Sequence, residues 1–362
     1  MSSKFLLISL VILLSLMAFG AGYFISRNDF SAQPASIGSD NILNKFNGNQ
    51  TSKENLSKDF VALSKDSVLS VTLSKEKDSL MYYNQRDGRA FQVNPLDRQE
   101  KIISTAPLSN LIETIWSPNK KEVVSVFQTQ NGKQFKYFNY QTRKTADFGT
   151  LVKSAVFSPD GSRLAYFKSQ GLNSAIYISA PDGDAPKKIL DTRLVGLEIY
   201  WPASPAGEPS QDSLALKTSI DGRDTVFTLS VTGNLAKLID EDGQVELLWS
   251  SDGNQLLYSV KKGSGTALFV RDSASHKQNS LEVSTTASKC AWGLGGEYVI
   301  CSVPRSGTGG EDIYKIGIDK TKELLASPKK SLIINQLLLT VLDEFIIVLN
   351  GMDDKLYALR LK

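Results

Sequence analysis

Short apolar runs recur along this chain, and each one follows a small polar turn. The pattern is nearly complete twice, at residues 157–164 (FSPDGSRL) and 249–256 (WSSDGNQL), and each copy continues into a few mostly apolar residues. Apolar runs of this length between turn residues are typical of strands buried on both faces. Pro159 and Asp160 favour the corners of a type I turn, and Gly161 favours the left-handed conformation that follows. The pattern therefore predicts a unit of strand, tight turn and strand.

Weaker copies of this unit occur at a nearly regular spacing. A second marker follows every copy, an aromatic residue within a short β-type run, at Phe91, Phe135, Tyr177, Phe227, Phe269, Tyr314 and Tyr357. These markers lie 42 to 50 residues apart. Repeats of this length with three or four strands each are typical of β-propeller blades, whereas helical repeats require amphipathic stretches that the sequence lacks. We predict an all-β fold for residues 59–362, a β-propeller of about seven four-stranded blades, with six or eight as the alternatives.

The two ends of the repeat region complement each other. The final copy stops at residue 362 after what would be its third strand, and an unclaimed apolar run, residues 59–63 (DFVAL), precedes the first copy. A strand without a neighbour is an edge that can pair with other chains. We therefore predict that residues 59–63 form the fourth strand of the last blade and close the ring.

The repeat resembles that of a known group of propellers. The segments FSPDG at 157–161, LAY at 164–166, IYI at 176–178 and PDG at 181–183 are similar to the repeat of TolB-like periplasmic proteins and of the dipeptidyl peptidase IV group. The resemblance covers roughly residues 59–362, implies a WD-repeat-like β-propeller and makes a bacterial envelope the natural setting. These 362 residues carry neither the α/β domain of TolB nor a hydrolase domain, so the resemblance implies neither relative's partner nor a peptidase activity.

An uncharged apolar segment, residues 5–26, lies near the N-terminus. A helix of its 22 residues would span the ~30 Å hydrocarbon core of a membrane. We predict a short cytoplasmic tail at 1–4, a single-pass transmembrane signal anchor at 5–26 and a flexible polar linker at 27–58. A cleavable signal peptide is the alternative, because small residues that suit a cleavage site lie within the segment. Both interpretations export the propeller, and Lys4 favours an N-terminus inside, with the propeller in the periplasm or on the cell surface.

The formal net charge of the chain is only +3. Binding to a phosphate backbone requires a basic face, so nucleic acid is not an expected partner. The single histidine, His276, lies in a polar stretch, and a catalytic triad or soft-metal site would need further ligands. The acidic run at 240–243 lacks the spacing of a calcium loop, and the glycine-rich run at 306–310 leads into a strand, not into a phosphate-binding helix. We predict no catalytic residue, no cofactor and no metal.

The two cysteines of the chain, Cys290 and Cys301, fall within one hairpin. If Gly295 and Gly296 form its turn, the cysteines lie opposite each other on neighbouring strands, where side chains approach disulfide geometry. Export of the propeller would permit oxidation. Two small buried hydrophobic residues in a blade core are the alternative.

Loops on one face of a propeller are candidates for partner binding. Two long loops are predicted between the second and third strands of the fifth and sixth blades, at 261–266 and 304–312. Their charged residues are the candidate contacts, with mobile solvated loops as the alternative: Lys261, Lys262, Arg305, Glu311 and Asp312. An aromatic stretch at 135–140 places rings on both faces of a strand, either for packing between blades or for stacking on sugars.

These features together predict a membrane-anchored extracytoplasmic propeller that binds an envelope protein or polymer and is not an enzyme. The alternatives are a propeller that binds envelope glycans or small ligands, and a propeller enzyme, such as a lyase or lactonase, that works in the central channel. An enzyme would require carboxylates, histidines or a metal to converge on the innermost strands. The innermost strands predicted at 112–115, 154–156 and 246–248 offer few such residues.

Overall fold

The computed structural model describes residues 59–171, 173–204, 212–305, 307 and 309–361. The predicted tail, membrane anchor and linker, together residues 1–58, lie outside these ranges, as does much of the proline-rich insertion after Trp201. Among the described residues, no helix has the length and apolar character needed to cross a membrane.

Within the described ranges, 28 strands form seven four-stranded antiparallel sheets, the blades of a propeller. The prediction of seven four-stranded blades is confirmed. The strands are β1 (Val61–Ala62), which belongs to blade 7; β2 (Val68–Leu73), β3 (Leu80–Asn84), β4 (Ala90–Val93) and β5 (Glu100–Ser104) in blade 1; β6 (Leu111–Trp116), β7 (Glu122–Thr129), β8 (Gly132–Asn139) and β9 (Thr145–Gly149) in blade 2; β10 (Val152–Phe157), β11 (Leu164–Gln170), β12 (Asn173–Ser179) and β13 (Lys187–Thr192) in blade 3; β14 (Glu198–Tyr200), β15 (Ser213–Ile220), β16 (Arg223–Ser230) and β17 (Leu235–Glu241) in blade 4; β18 (Gln244–Trp249), β19 (Gln255–Lys262), β20 (Gly265–Asp272) and β21 (Gln278–Ser280) in blade 5; β22 (Cys290–Trp292), β23 (Tyr298–Pro304), β24 (Glu311–Gly317) and β25 (Lys322–Ala326) in blade 6; and β26 (Ile334–Leu339), β27 (Phe345–Asn350) and β28 (Leu356–Arg360) in blade 7.

The repeated turn between the first and second strands is held by one hydrogen-bond network. In blade 3 the Ser158 hydroxyl donates to Asp160 Oδ1 at 2.5 Å and accepts from the Arg163 amide at 2.9 Å. Gly161 has φ of 74°, the left-handed conformation that the sequence predicts. Hydrogen bonds from Ser158 and Ser162 lower the pKa of the Asp160 carboxyl to about 2. The serine and Asx positions of the repeat are therefore conformational, because they satisfy the backbone of the turn.

The predicted closure of the ring is confirmed. Strand β1 pairs with β28 as the fourth strand of blade 7, with Val61 opposite Ala358 and Ala62 opposite Tyr357. The Leu356 amide also donates to the Ser64 hydroxyl at 3.0 Å. The first described residues and the last strands of the chain therefore complete one blade, and blade 7 keeps no unpaired third strand.

Apolar side chains fill the spaces between neighbouring blades. Among the described residues, seven buried clusters correspond to the seven interfaces, and six of them contain six or more buried residues. The cluster between blades 1 and 2 contains three, Tyr83, Ala90 and Leu111. On β8, Phe135 and Tyr137 are buried and pack towards blade 3, as expected of rings between blades.

Candidate functional site

The antiparallel order of the strands brings all candidate contact residues to one side of the disc. Turns between second and third strands lie on the same side as the links between blades, and we call this side the loop face. Lys262 ends β19, and Glu311 begins β24, so both lie at the loop face. The structure corrects one expectation here. Strand β19 continues through Lys262, so the predicted loop at 261–266 is a tight turn of two residues, Gly263 and Ser264.

A hollow of about 950 Å³ opens on the loop face between blades 4 and 5. We call it the polar basin, and its charged lining residues are Glu198, Lys217, Asp224, Asp242, Glu246, Lys261 and Lys262. The link between the two blades passes close to β19 here. A Cβ atom on Gly243 would lie 2.6 Å from the Lys261 carbonyl oxygen, so this approach requires glycine.

The charged side chains of the polar basin differ in whether they have an ion-pair partner and in how exposed they are. Lys217 Nζ lies 3.1 Å from Glu198 Oε2 and 3.0 Å from the Val245 carbonyl oxygen, and its side chain is 16% exposed. Lys262 pairs with Asp242 across the inter-blade link. Among the described residues, Lys261 has no carboxylate within ion-pair distance. The basin therefore combines a fixed, partly buried ion pair with an exposed cation that is available to a ligand.

The other candidate contacts have partners within the chain. Arg305 Nε lies 2.5 Å from Asp312 Oδ1, and its Nη2 donates to the Pro328 carbonyl at 2.7 Å. The Glu311 carboxylate accepts from Lys289 and from the Ser302 hydroxyl. Arg305 thereby contacts the link between blades 6 and 7, whereas Glu311 joins the start of β24 to β23 and to the link between blades 5 and 6. A role for Arg305, Glu311 and Asp312 in partner contact stays a prediction, and any such contact would compete with these internal bonds.

Cys290 and Cys301 lie directly opposite each other on β22 and β23. Their Cα atoms are 4.1 Å apart, and a disulfide joins their side chains. The turn between them includes Gly295 at φ of 81° and Gly296 at 73°, as the sequence predicts. Both cysteines are buried in the cluster between blades 5 and 6. The pair therefore cross-links the two innermost strands of blade 6 beside the loop-face link.

The remaining polar motifs of the sequence lie in a turn, for His276, and at the end of β17, for Asp240. His276 adopts φ of 59° in the turn between β20 and β21, where its amide donates to the Asp272 carbonyl at 3.0 Å. Asp240 pairs with Arg223 and Lys237. In the described part of the chain, no group of three or more His, Cys, Asp or Glu side chains is arranged to hold a metal ion.

One partly buried cation was not singled out by the sequence. Lys120 occupies the left-handed turn position of blade 2, with φ of 61°, where blades 3 and 5 have glycine. Its amine donates to the Thr72 hydroxyl of blade 1 at 2.8 Å, and burial lowers its pKa to about 8. The sequence feature that could have identified it is a lysine at the position where the strong copies of the repeat have glycine.

Proteins of different functions share this fold. The chain is similar to oligogalacturonate lyase in complex with manganese, with a TM-score of 0.61, 13% identity, and coverage of 84% of this chain and 93% of that one. It is also similar to the β-propeller domain of Cps50 (Swd1) from Myceliophteria thermophila, with a TM-score of 0.56, 12% identity, and coverage of 83% and 98%. TolB from Acinetobacter baumannii has a TM-score of 0.42 at 12% identity, with coverage of 80% and 78%. No protein-family model and no curated protein matches the chain.

The identities to these structures are low enough that the similarity describes the fold alone. The resemblance found in the sequence is thereby confirmed for its architecture, a propeller of seven four-stranded blades. The binding chemistry of this chain must be argued from its own residues, because one scaffold supports many functions.

Proposed function

We propose that this chain is a membrane-anchored extracytoplasmic β-propeller that binds another protein of the cell envelope through its loop face, without catalysis of its own. The observation that carries the proposal is the polar basin, which presents charges of both signs in an open hollow of about 950 Å³. The uncharged segment at 5–26 supports the membrane anchor, and the polar linker at 27–58 supports a propeller held away from the membrane.

The chemistry of the polar basin suits a protein surface. Charged groups across an interface set its orientation and partner choice. Lys217 and Glu198 are fixed to each other, whereas Lys261 is available to a carboxylate. A partner surface that presents a carboxylate could pair with Lys261.

Site-specific crosslinking tests the proposal. A photo-reactive amino acid placed at Lys262 of the full-length protein would be activated in native membranes, with the same residue at Thr232 on the opposite face as the matched control. The proposal predicts that one discrete envelope protein is captured from position 262 and not from position 232. Equal capture of many proteins from both positions would count against a specific loop-face interaction.

The anchor is tested separately by extraction of membranes with alkaline carbonate. We expect the full-length protein to stay with the membrane and the protein lacking residues 5–26 to be released. Release of the full-length protein would favour the cleaved signal peptide.

If neither position captures a protein, the alternatives to be tested are glycan binding, small-ligand binding and catalysis in the central channel. The fold shared with oligogalacturonate lyase then gives a first substrate class to assay, oligogalacturonates with manganese.

A further inference from the structure

The interface between blades 1 and 2 has the smallest cluster of fully buried apolar residues of the seven. Its buried cluster has three members, and a cleft of about 510 Å³ opens between the outer strands of the two blades. We call this the flank cleft, and the residues used below are Phe127, Lys136, Phe138, Tyr140, Arg143 and Asp147. It opens on the side of the disc, reaches the loop-face link at Ala106 and Leu108, and is separate from the polar basin between blades 4 and 5.

Aromatic rings form the wall of the flank cleft. The Phe138 and Tyr140 rings meet edge to face with centroids 5.0 Å apart, and Tyr140 stacks on Trp116 at 6.0 Å. The Tyr140 hydroxyl is hydrogen-bonded to the buried Tyr83 hydroxyl of blade 1 at 2.5 Å. Both rings of the pair are only half-buried. The wall is therefore a fixed aromatic surface that still faces solvent, which favours an inserted apolar side chain.

Two cations lie at the rim of this wall. Lys136 Nζ is 5.7 Å from the centre of the Phe127 ring, and Arg143 Cζ is 6.0 Å from the centre of the Phe138 ring. Both side chains belong to exposed residues, and neither has a carboxylate partner among the described residues. The acidic lining residue, Asp147, accepts a hydrogen bond from Gln134 at 2.7 Å. Asp147 lies directly opposite Lys136 in the register of β8 and β9, so among the described residues the rim has two cations without an ion pair and one neighbouring carboxylate.

Blade 2 as a whole also carries a net positive charge. Residues 111–149 contain six Lys and Arg against three Asp and Glu, a net charge of +3 that equals the formal charge of the whole chain. A positive surface of this kind steers acidic partners and increases their association rate.

We propose that the flank cleft binds an extended acidic peptide segment of a partner protein. One aromatic or aliphatic side chain of that segment inserts between blades 1 and 2, and its acidic neighbours pair with Lys136 and Arg143. An extended segment fits because the cleft is open along the flank, so the chain enters and leaves without a bend. The inference rests on the proposed function, since it names the chemistry of a partner, and it adds a contact remote from the polar basin.

Fluorescence anisotropy with defined peptides tests this inference on the full-length protein. The probe is a fluorescein-labelled octapeptide in which two phenylalanines are embedded among aspartates. One control peptide replaces each aspartate by lysine, and the other replaces each phenylalanine by alanine. We expect the acidic aromatic peptide to bind at least about tenfold more tightly than either control, because each control removes one of the two interactions.

The protein offers a matched control on the same strand. Lys136→Glu combined with Arg143→Glu should weaken binding of the acidic peptide about tenfold or more. Lys133→Glu makes the same charge change as Lys136→Glu alone, but on the other face of β8, and should change affinity less than about twofold. If the charge reversals lower the melting temperature, the pair Lys136→Met and Arg143→Met gives the same comparison without added negative charge. Equal binding of acidic and basic peptides, or equal affinity in the variants, would overturn the inference.

Crosslinking with a benzophenone in place of one phenylalanine locates the bound peptide. We expect labelled residues on β8 and on blade 1, whereas labelling confined to other blades would overturn the site.

Partner capture then separates this inference from the proposed function. Capture from membranes that is undiminished by Lys136→Glu with Arg143→Glu would remove the flank cleft and leave the proposed function. Tight peptide binding without any captured envelope protein would count against the proposed function and would leave the peptide site in the flank cleft.

Discussion

Lys120 differs from the residue at the same position of the strong repeats, and its pKa is lowered in the folded protein. Blades 3 and 5 place glycine in the left-handed position of the turn, and blade 2 places a lysine there. The turn keeps the same hydrogen bonds, with the Ser117 hydroxyl donating to Asn119 Oδ1 at 2.8 Å. The lysine side chain is thereby directed against Thr72 of blade 1, where burial holds its pKa near 8.

This burial predicts a pH dependence of stability. The pKa of Lys120 is lower in the folded protein than the ordinary value of 10.5, so the unfolded chain binds more protons between these values. The free energy of unfolding should therefore rise from pH 8 to pH 10, by about 1 kcal/mol after allowance for the solvent that reaches the amine. Lys120→Met should abolish this rise, measured by urea unfolding at both pH values.

The adjacent lysine provides the control for this experiment. Lys121 is exposed, and Lys121→Met should leave the rise from pH 8 to pH 10 intact. An identical pH dependence in wild type and Lys120→Met would show that the amine is solvated in the folded protein.

Residue roles were less predictable from the sequence than residue positions. The sequence placed Lys261, Lys262, Arg305, Glu311 and Asp312 near one face, and the structure has them there. It did not reveal that Arg305 and Glu311 are bound within the chain, because their partners come from links between blades. Pairing across blades depends on the closed ring, which a local pattern does not specify.

At the scale of elements, the repeat made the strands and turns predictable. Each blade reuses one pattern, so the strong copies at 157–164 and 249–256 locate the weaker ones before, between and after them. The length of β19 was underestimated because Lys261 and Lys262 have the polarity of a loop. These two lysines lie at the loop-face end of β19, where side chains are exposed to solvent and charged residues are tolerated. The flank cleft was also not predictable, since it results from how two particular blades fill their shared interface.

Closure of blade 7 by β1 predicts a strong effect of a short deletion. Removal of residues 56–65 exposes the edge of β28 and removes the buried Phe60 and Leu63 side chains. We expect a lower melting temperature and a less cooperative transition in circular dichroism. Removal of residues 40–49 in the linker deletes the same number of residues and should leave the transition unchanged. Equal melting of both deletions would contradict closure by β1.

The disulfide of blade 6 predicts the absence of reactive thiols. The unfolded, non-reduced protein should contain no free thiol, and reduction should release two, as titrated with a thiol reagent. Cys290→Ser with Cys301→Ser should lower the free energy of unfolding by about 2 to 3 kcal/mol, because the covalent loop restricts the unfolded chain. Two free thiols before reduction would show that the cysteines act only as small buried residues.

At the scale of the molecule, the propeller carries two chemically distinct surfaces. The polar basin on the loop face has fixed ion pairs and an available lysine, whereas the flank cleft has aromatic walls and a positive rim. A rigid disc holds these surfaces at fixed positions, and the linker of residues 27–58 would let the disc search for a partner at the envelope. The function that we propose is that of a binding scaffold whose contacts lie outside the central channel.

Quantitative capture of envelope proteins from native membranes tests this central claim most directly. Chemical crosslinking and mass spectrometry would compare the full-length protein with the same protein carrying Lys261→Glu and Lys262→Glu, after both are shown to melt alike. The account predicts one abundant captured protein with wild type and at least about a tenfold loss with the variant, because reversed charge in the polar basin repels an acidic partner. No enriched protein with wild type, or equal capture by the variant, would contradict it.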